Sequence, residues 1–180
     1  DGGTSWYFDN PRDKNESYET YITKELTAQI DAKYPTIASG KSRAIAGFSM
    51  GGHGALFLAL RRDDTFSAAG VMAGGVDLPP FHQRWELTRL LGDLKTNRDE
   101  WIANSVLYMV ERYDLSKLKI RIDCGRDDFF YDSNVALAKK LLALGADFVF
   151  EAREGGHDRA FIKSVIGDQL EFLAKAITAP

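Results

Sequence analysis

The sequence predicts an α/β fold, a mostly parallel sheet flanked by helices, on three observations. Short apolar strand-like runs alternate with helix-like runs along the 180 residues, a pattern that builds parallel sheets through right-handed crossovers. One such run, Arg43 to Gly47, passes through a serine straight into the Ala/Leu-rich run Ala55 to Leu60. The composition, 44% hydrophobic and 27% charged, is that of an ordinary globular protein long enough to bury a core. The chain, 1–180, therefore reads as one domain.

In order, Asp1 to Phe8 reads as a loop following a strand that is not in the sequence. The chain starts at Asp rather than Met, with no basic region and no apolar signal core, so it is expected to be a fragment or a processed chain. Glu16 to Lys33 predicts an amphipathic helix, with Tyr18, Tyr21, Ile22, Leu26 and Ile30 near helical spacing and Tyr34-Pro35 ending it. After the strand Arg43 to Gly47, a helix is expected from about Gly51 to Arg62, then a strand from Phe66 to Ala73. From Gly74 to Asp114 the pattern loosens into a cap-like excursion, with short helices expected over Gln83 to Leu91 and Asp99 to Val110. Its aromatics Phe81, Trp85, Trp101 and Tyr108 either line an acyl pocket or pack the excursion onto the body. Lys119 to Cys124 is a strand, Ser133 to Leu144 a helix, Phe148 to Ala152 a strand and Arg159 to Ala176 the last helix.

Several function classes are excluded by composition. A net charge of −3 argues against nucleic acid or an anionic membrane as partner. No apolar run approaches the roughly 18 residues of a membrane span. Cys124 is the only cysteine, so there is neither an internal disulfide nor a cysteine metal cluster. Compartment and oligomeric state are left open.

Chemistry concentrates at Gly47-Phe48-Ser49-Met50-Gly51, which fits G-x-S-x-G in a strand–turn–helix setting. The glycines are expected because residues two before and two after Ser49 pass too close for a Cβ. The turn lifts the hydroxyl above the sheet and leaves the first helical N–H groups free. A serine hydroxyl needs a base, and there are three histidines. His53 lies on the elbow helix and is expected to pack beneath the turn; His82 follows Pro79-Pro80 in the excursion. His157, in the Gly155-Gly156-His157 loop after the last strand, satisfies the chain order Ser, Asp, His of α/β-hydrolases. The orienting acid is expected from the loop after Lys119 to Cys124: Asp128 first, Asp127 second. Asp123 lies within the strand, and Asp132 is placed to cap the next helix. The Met50 N–H supplies half of an oxyanion hole, while the sequence names no second donor. No metal or organic cofactor is implied.

Gly47 to Leu56, Gly125-Arg126-Asp127-Asp128-Phe129-Phe130-Tyr131 and Gly155-Gly156-His157 resemble the esterase D-like group of α/β-hydrolases. That group includes S-formylglutathione hydrolases, tributyrin-type, feruloyl and acetyl-xylan esterases and the antigen 85 mycolyltransferases. The resemblance covers essentially the whole chain and implies an α/β-hydrolase fold that lacks the family's first strands. It implies Ser49 as nucleophile, His157 as base and Asp128 as acid, with Trp6, Tyr7 and Phe129 as substrate-binding residues. The expected activity is hydrolysis of a small-molecule or carbohydrate-linked carboxylic ester through an acyl-enzyme. An acyltransferase with the same triad, or a non-catalytic binding module on a hydrolase scaffold, are the alternatives.

Overall fold

A computed structural model describes residues 2–178. Four strands, β1 (Ala44–Phe48), β2 (Ala68–Met72), β3 (Lys119–Gly125) and β4 (Phe148–Arg153), form one parallel sheet in the order β1-β2-β3-β4. The strand β2, an Ala-Ala-Gly-Val-Met run, is buried along its whole length, as expected of an inner parallel strand with both faces covered. The helices are α1 (Tyr18–Thr20), α2 (Thr27–Lys33), α3 (Met50–Arg61), α4 (Leu87–Leu91), α5 (Arg98–Ala103), α6 (Val106–Met109), α7 (Tyr131–Ala143) and α8 (Arg159–Thr178). The helices α3 and α7 pack on the sheet and are linked through α6, while α8 runs across β1, β2 and β3. The main core, with Leu56, Phe57, Leu58, Val71, Ile120, Ile122 and Leu137, lies between the sheet and α3 and α7. No helix among the described residues is long and apolar enough to cross a membrane.

The expected Glu16 to Lys33 helix is not continuous. Between α1 and α2 it widens into a π-turn over Tyr21–Leu26. The Thr23 hydroxyl donates to the Glu19 carbonyl at 2.7 Å and that of Thr27 to the Thr23 carbonyl at 2.9 Å, so two threonines compete with the helical ladder where it widens. Of its apolar stripe only Ile22 packs against the core, and then only partly buried. Glu19 and Thr23 are the buried residues, and Glu19 pairs with Arg61 and Arg62 of the α3 end. Ile22, Leu26 and Ile30 instead line a groove along β1. Tyr34 leaves the helix in extended backbone ahead of Pro35, as the clash with the proline ring requires.

The excursion also departs from expectation. The helix expected from Gln83 starts only at Leu87, because Trp85 and Glu86 hold left-handed backbone (φ 51° and 58°). The one expected from Asp99 is two helices, α5 and α6. Ser105, extended between them, donates its hydroxyl to the Trp101 carbonyl and accepts the Leu78 N–H. Farther on, α7 begins at Tyr131 with no side-chain cap, so Asp132 is a first-turn residue and not the N-cap. A carboxylate there still suits the helix dipole.

In β1 the Ser49 N–H donates to Met72 and the Arg43 carbonyl accepts from Ser67. Odd-numbered residues thus bond to β2, and Ala44, Ala46 and Phe48 turn their N–H and C=O groups outward. Among the described residues no strand pairs with that edge.

The turn after β1 is closed by one backbone approach. A Cβ on Gly47 would lie 2.3 Å from the Gly51 carbonyl group, whereas a Cβ on Gly51 would meet nothing nearer than the Tyr7 hydroxyl at 3.9 Å. The expected crowding is therefore one-sided. Gly47→Ala should cost about 1–3 kcal/mol or prevent folding, while Gly51→Ala should stay within about 1 kcal/mol of wild type. Urea denaturation of the two variants checks this, and equal losses would contradict it.

Candidate active site

Ser49 sits at φ 60°, ψ −119°, a conformation that costs a non-glycine residue on the order of 1–3 kcal/mol. It is held there from three sides. Its N–H donates to Met72, and its carbonyl accepts from His53 at 3.1 Å and Gly75 at 3.2 Å. The hydroxyl projects at the carboxyl end of the sheet, and Met50 begins α3 directly after it, with an N–H that has no intrahelical acceptor.

The carboxyl ends of β3 and β4 bring two more side chains to this point. Gly125 and Gly155 are the contact: a Cβ on Gly125 would lie 2.1 Å from the Gly155 carbonyl oxygen. The Asp127 N–H donates to that same oxygen, and the Arg126 N–H donates to Arg153. Loops thirty residues apart are thereby stitched together. Asp128 accepts the Phe130 N–H on Oδ1 at 2.8 Å, leaving Oδ2 for His157 Nδ1 at 2.7 Å; His157 Nε2 lies 2.8 Å from Ser49 Oγ. A carboxylate only accepts, so Nδ1 carries the proton and Nε2 is the acceptor for the serine hydroxyl. The Asp128 carboxyl is fully buried and the imidazole partly exposed. The second carboxylate, Asp127, is exposed and contributes only its backbone to the loop.

Aromatic rings enclose the imidazole. Phe48 and Phe129 lie against it at 4.4 and 4.5 Å, and Phe130 meets it edge-on at 5.5 Å. Of the four aromatics of the excursion, Phe81 and Trp85 join this cluster. Trp101 is buried with its indole N–H on the Gly92 carbonyl, and Tyr108 packs under the Lys140 ammonium.

The two N-terminal aromatics separate. Trp6 is 2% exposed, wedged against His53 and donating its indole N–H to the Trp85 carbonyl. It has no surface left for a substrate. Tyr7 presses its ring on Gly54 of α3, brings its hydroxyl near Gly51 and lines the groove beside Ser49, where burial raises its pKa. That groove, about 890 Å³ along β1, is walled mainly by apolar residues including Ile22, Leu26, Ile45 and Leu58.

The remaining ionisable candidates are occupied elsewhere. His82 bonds to Pro79 within the excursion. Asp123 is fully buried beneath the sheet, held by two bonds from Arg121 and one from Gln169. Sequence reasoning missed Asn134, a buried residue of α7 whose amide N–H₂ group donates to the Gly74 and Phe130 carbonyls. It ties α7 to the turn after β2, which in turn holds the Ser49 carbonyl through Gly75. The Ala73-Gly74-Gly75 run, with Ala73 at φ 45°, was the one sequence signal of a tight turn there.

Residues 2–167 match the family described as "Putative esterase". The chain belongs to that family. S-formylglutathione hydrolase of Bos taurus is 30% identical over 185 residues, covering 98% of this chain and 64% of the bovine protein. An acetyl esterase of Caldicellulosiruptor saccharolyticus is 29% identical, covering 97% of this chain and 70% of its own. A solved ferulic acid esterase structure superposes with a TM-score of 0.79 at 31% identity, covering 94% of this chain and 64% of that one. With that likeness, the parallel sheet flanked by helices is an α/β-hydrolase fold. The chain thus spans a little under two thirds of the bovine relative it matches.

His53 is fully buried among Trp6, Phe8 and Phe57, with Nε2–H donated to the Asn104 carbonyl at 2.9 Å. Burial lowers its pKa from 6.5 to about 4, so the folded ring stays neutral. In the unfolded chain the ring takes a proton below about pH 6.5 that the folded ring refuses until about pH 4. Its contribution to stability is complete above pH 6.5 and is lost as the pH falls toward 4. Between pH 7.5 and 4.5 wild type should lose about 2–3 kcal/mol more than His53→Gln. Denaturant titrations at both pH values check it, and parallel losses would contradict it.

Proposed function

We propose that the chain carries the catalytic apparatus of a serine carboxylic-ester hydrolase. The observation that carries this reading is the unbroken line Ser49 Oγ, His157 Nε2, His157 Nδ1, Asp128 Oδ2, with both hydrogen bonds under 3 Å, starting from a serine on a strained elbow. The named relatives, an S-formylglutathione hydrolase, an acetyl esterase and a ferulic acid esterase, support acyl transfer from an ester or thioester as the reaction class.

Ser49 Oγ attacks the ester carbonyl carbon while its proton passes to His157 Nε2. Asp128 keeps the proton on Nδ1, so that Nε2 presents its lone pair, and it stabilises the imidazolium that results. The carbonyl oxygen becomes an oxyanion beside the Met50 N–H, which is free at the first turn of α3. The tetrahedral intermediate collapses with cleavage of the bond to the alcohol oxygen, and that oxygen takes the proton from Nε2. A water then gives its proton to Nε2 and attacks the acyl-serine. Collapse returns the proton to Ser49 Oγ and releases the acid.

A fluorophosphonate probe should label the wild-type chain once, on Ser49, and leave Ser49→Ala unlabelled; intact mass with peptide mapping reads both. Asp128→Asn should lower the labelling rate by about 10³- to 10⁴-fold through the wrong imidazole tautomer. The exposed Asp127→Asn should stay within about threefold of wild type. Label on another residue, or a larger loss from Asp127→Asn, would overturn the assignment.

A further inference from the structure

Beside the catalytic imidazole two large aromatic rings stand in the open. Trp85 is 39% and Phe129 54% exposed, their rings nearly parallel at 28° with centroids 6.1 Å apart. Phe129 is also the ring that lies 4.5 Å from His157. Behind them Phe81 and the buried Phe130 make a backing layer, 5.3 and 5.7 Å from Trp85. Apolar rings of this size are normally buried, and nothing among the described residues covers these two.

The backbone is built to keep Trp85 there. Trp85 and Glu86 are consecutive left-handed residues, φ 51° and 58°, a conformation a bulky side chain rarely adopts. The strain is held by two clamps from the N-terminal loop. The Trp6 indole N–H donates to the Trp85 carbonyl at 3.3 Å, and the Thr4 hydroxyl donates to the Glu86 carboxylate at 2.8 Å, which Arg89 also binds. Trp6 and Tyr7 are themselves left-handed, so strained backbone on one segment holds strained backbone on another. Two consecutive strained residues, clamped from a second segment and carrying a partly exposed ring at a reactive site, point to a binding role.

The chemistry says which part of an ester meets this surface. His157 Nε2 gives its proton to the departing alcohol oxygen, so the alcohol portion must lie on the imidazole side of Ser49. Phe129 lies against that imidazole at 4.5 Å, and Trp85 extends the surface by stacking on Phe129. We propose that Trp85 and Phe129 form a leaving-group platform that stacks a flat aromatic ring in the alcohol portion of the ester, selecting aryl-bearing over short alkyl alcohols. This rests on the assignment of Ser49 and His157 made above. Trp6 acts through the Trp85 backbone and is a positioning residue.

The test compares benzyl acetate with ethyl acetate, which share an acyl group, and with ethyl benzoate, which carries the ring on the acyl side. In wild type the kcat/KM ratio of benzyl to ethyl acetate should exceed one. It should fall about threefold in Trp85→Ala or Phe129→Ala and about tenfold in the double variant, the worth of one to two ring contacts. A merely structural role, or loss of imidazole positioning, lowers both acetates together and cancels in the ratio; an unchanged ratio overturns the proposal. A fall confined to the benzoate-to-acetate ratio also overturns it, because the ring would then lie on the acyl side. Binding is read without turnover in Ser49→Ala, where Trp85 is the exposed indole and Trp6 and Trp101 are buried. Benzyl acetate should quench tryptophan emission saturably there and not in Ser49→Ala/Trp85→Phe; no saturable change overturns the proposal. Saturable quenching in a chain that hydrolyses neither acetate would uphold the platform and overturn the ester-hydrolase reading alone.

Discussion

The approach of Gly47 to the Gly51 carbonyl group, too close for any Cβ on Gly47, sets the geometry on which the site depends. It lets the chain leave β1 and enter α3 within a single residue, and that residue is Ser49. A looser turn would place the hydroxyl off the sheet end and the first N–H groups of α3 away from it. The strain left in Ser49 is absorbed by β2 and the turn after it: Met72 takes the Ser49 N–H, and Gly75 donates to the Ser49 carbonyl. Asn134 then fastens that turn to α7 through Gly74. A local sequence requirement at the elbow thus propagates through a central strand to a helix more than eighty residues away.

Strained backbone collects at one end of the molecule. The non-glycine residues with positive φ are Trp6, Tyr7, Ser49, Ala73, Trp85 and Glu86 among the described residues, and all belong to the elbow, the turn facing it or the two segments that flank it. Conformations of this kind persist only where surrounding contacts over-determine them. Here those contacts are the Trp6 ring against His53, the Tyr7 ring on Gly54, and Met72 and Gly75 on Ser49. His53 belongs to this support. Its neutral ring is the floor on which Trp6 rests, and Trp6 holds the excursion through Trp85.

The sequence made the strands, α3, α7 and α8 legible because their periods and turn residues agree with their packing. G-x-S-x-G, the position of His157 after β4 and the pair Asp127-Asp128 after β3 were readable as residue types in the order the chemistry needs. The sequence ranks Asp128 ahead of Asp127 without a physical reason; the geometry adds one, since adjacent residues in a loop face different ways and only Asp128 is turned inward, by the Phe130 N–H. The misreadings have physical causes. The π-turn arises from threonine hydroxyls bonding back to carbonyls, which a hydrophobic pattern does not register. The helix around Gln83 was broken by left-handed residues that are neither glycine nor asparagine, and whose conformation is imposed by Trp6 and Thr4 from 79 and 82 positions away. The apolar stripe of Ile22, Leu26 and Ile30 has true helical spacing, yet it faces the groove along the unpaired edge of β1, a partner that spacing cannot name.

The surroundings also decide which reactive groups are silenced. Cys124, an intrinsically better nucleophile than serine, lies at the end of β3 two residues before the loop that carries Asp128. Burial first, and then the charge of Asp128, pushes its thiol up to about 12, so it holds essentially no thiolate at neutral pH. Asp123 has its charge consumed by Arg121, which also contacts Glu151, while Arg153 joins Glu151 to Asp168. A carboxylate so paired cannot turn toward a histidine without breaking two bonds to a buried guanidinium and one from Gln169. His53 is kept neutral by the same burial that lets it support Trp6. Each competitor is disabled by desolvation or by a fixed partner. In the proposed mechanism that leaves a serine whose base is flanked by Phe48 and Phe129 and fixed by Asp128 on Nδ1, so that the proton exchanged on Nε2 passes to Ser49 and to the departing alcohol.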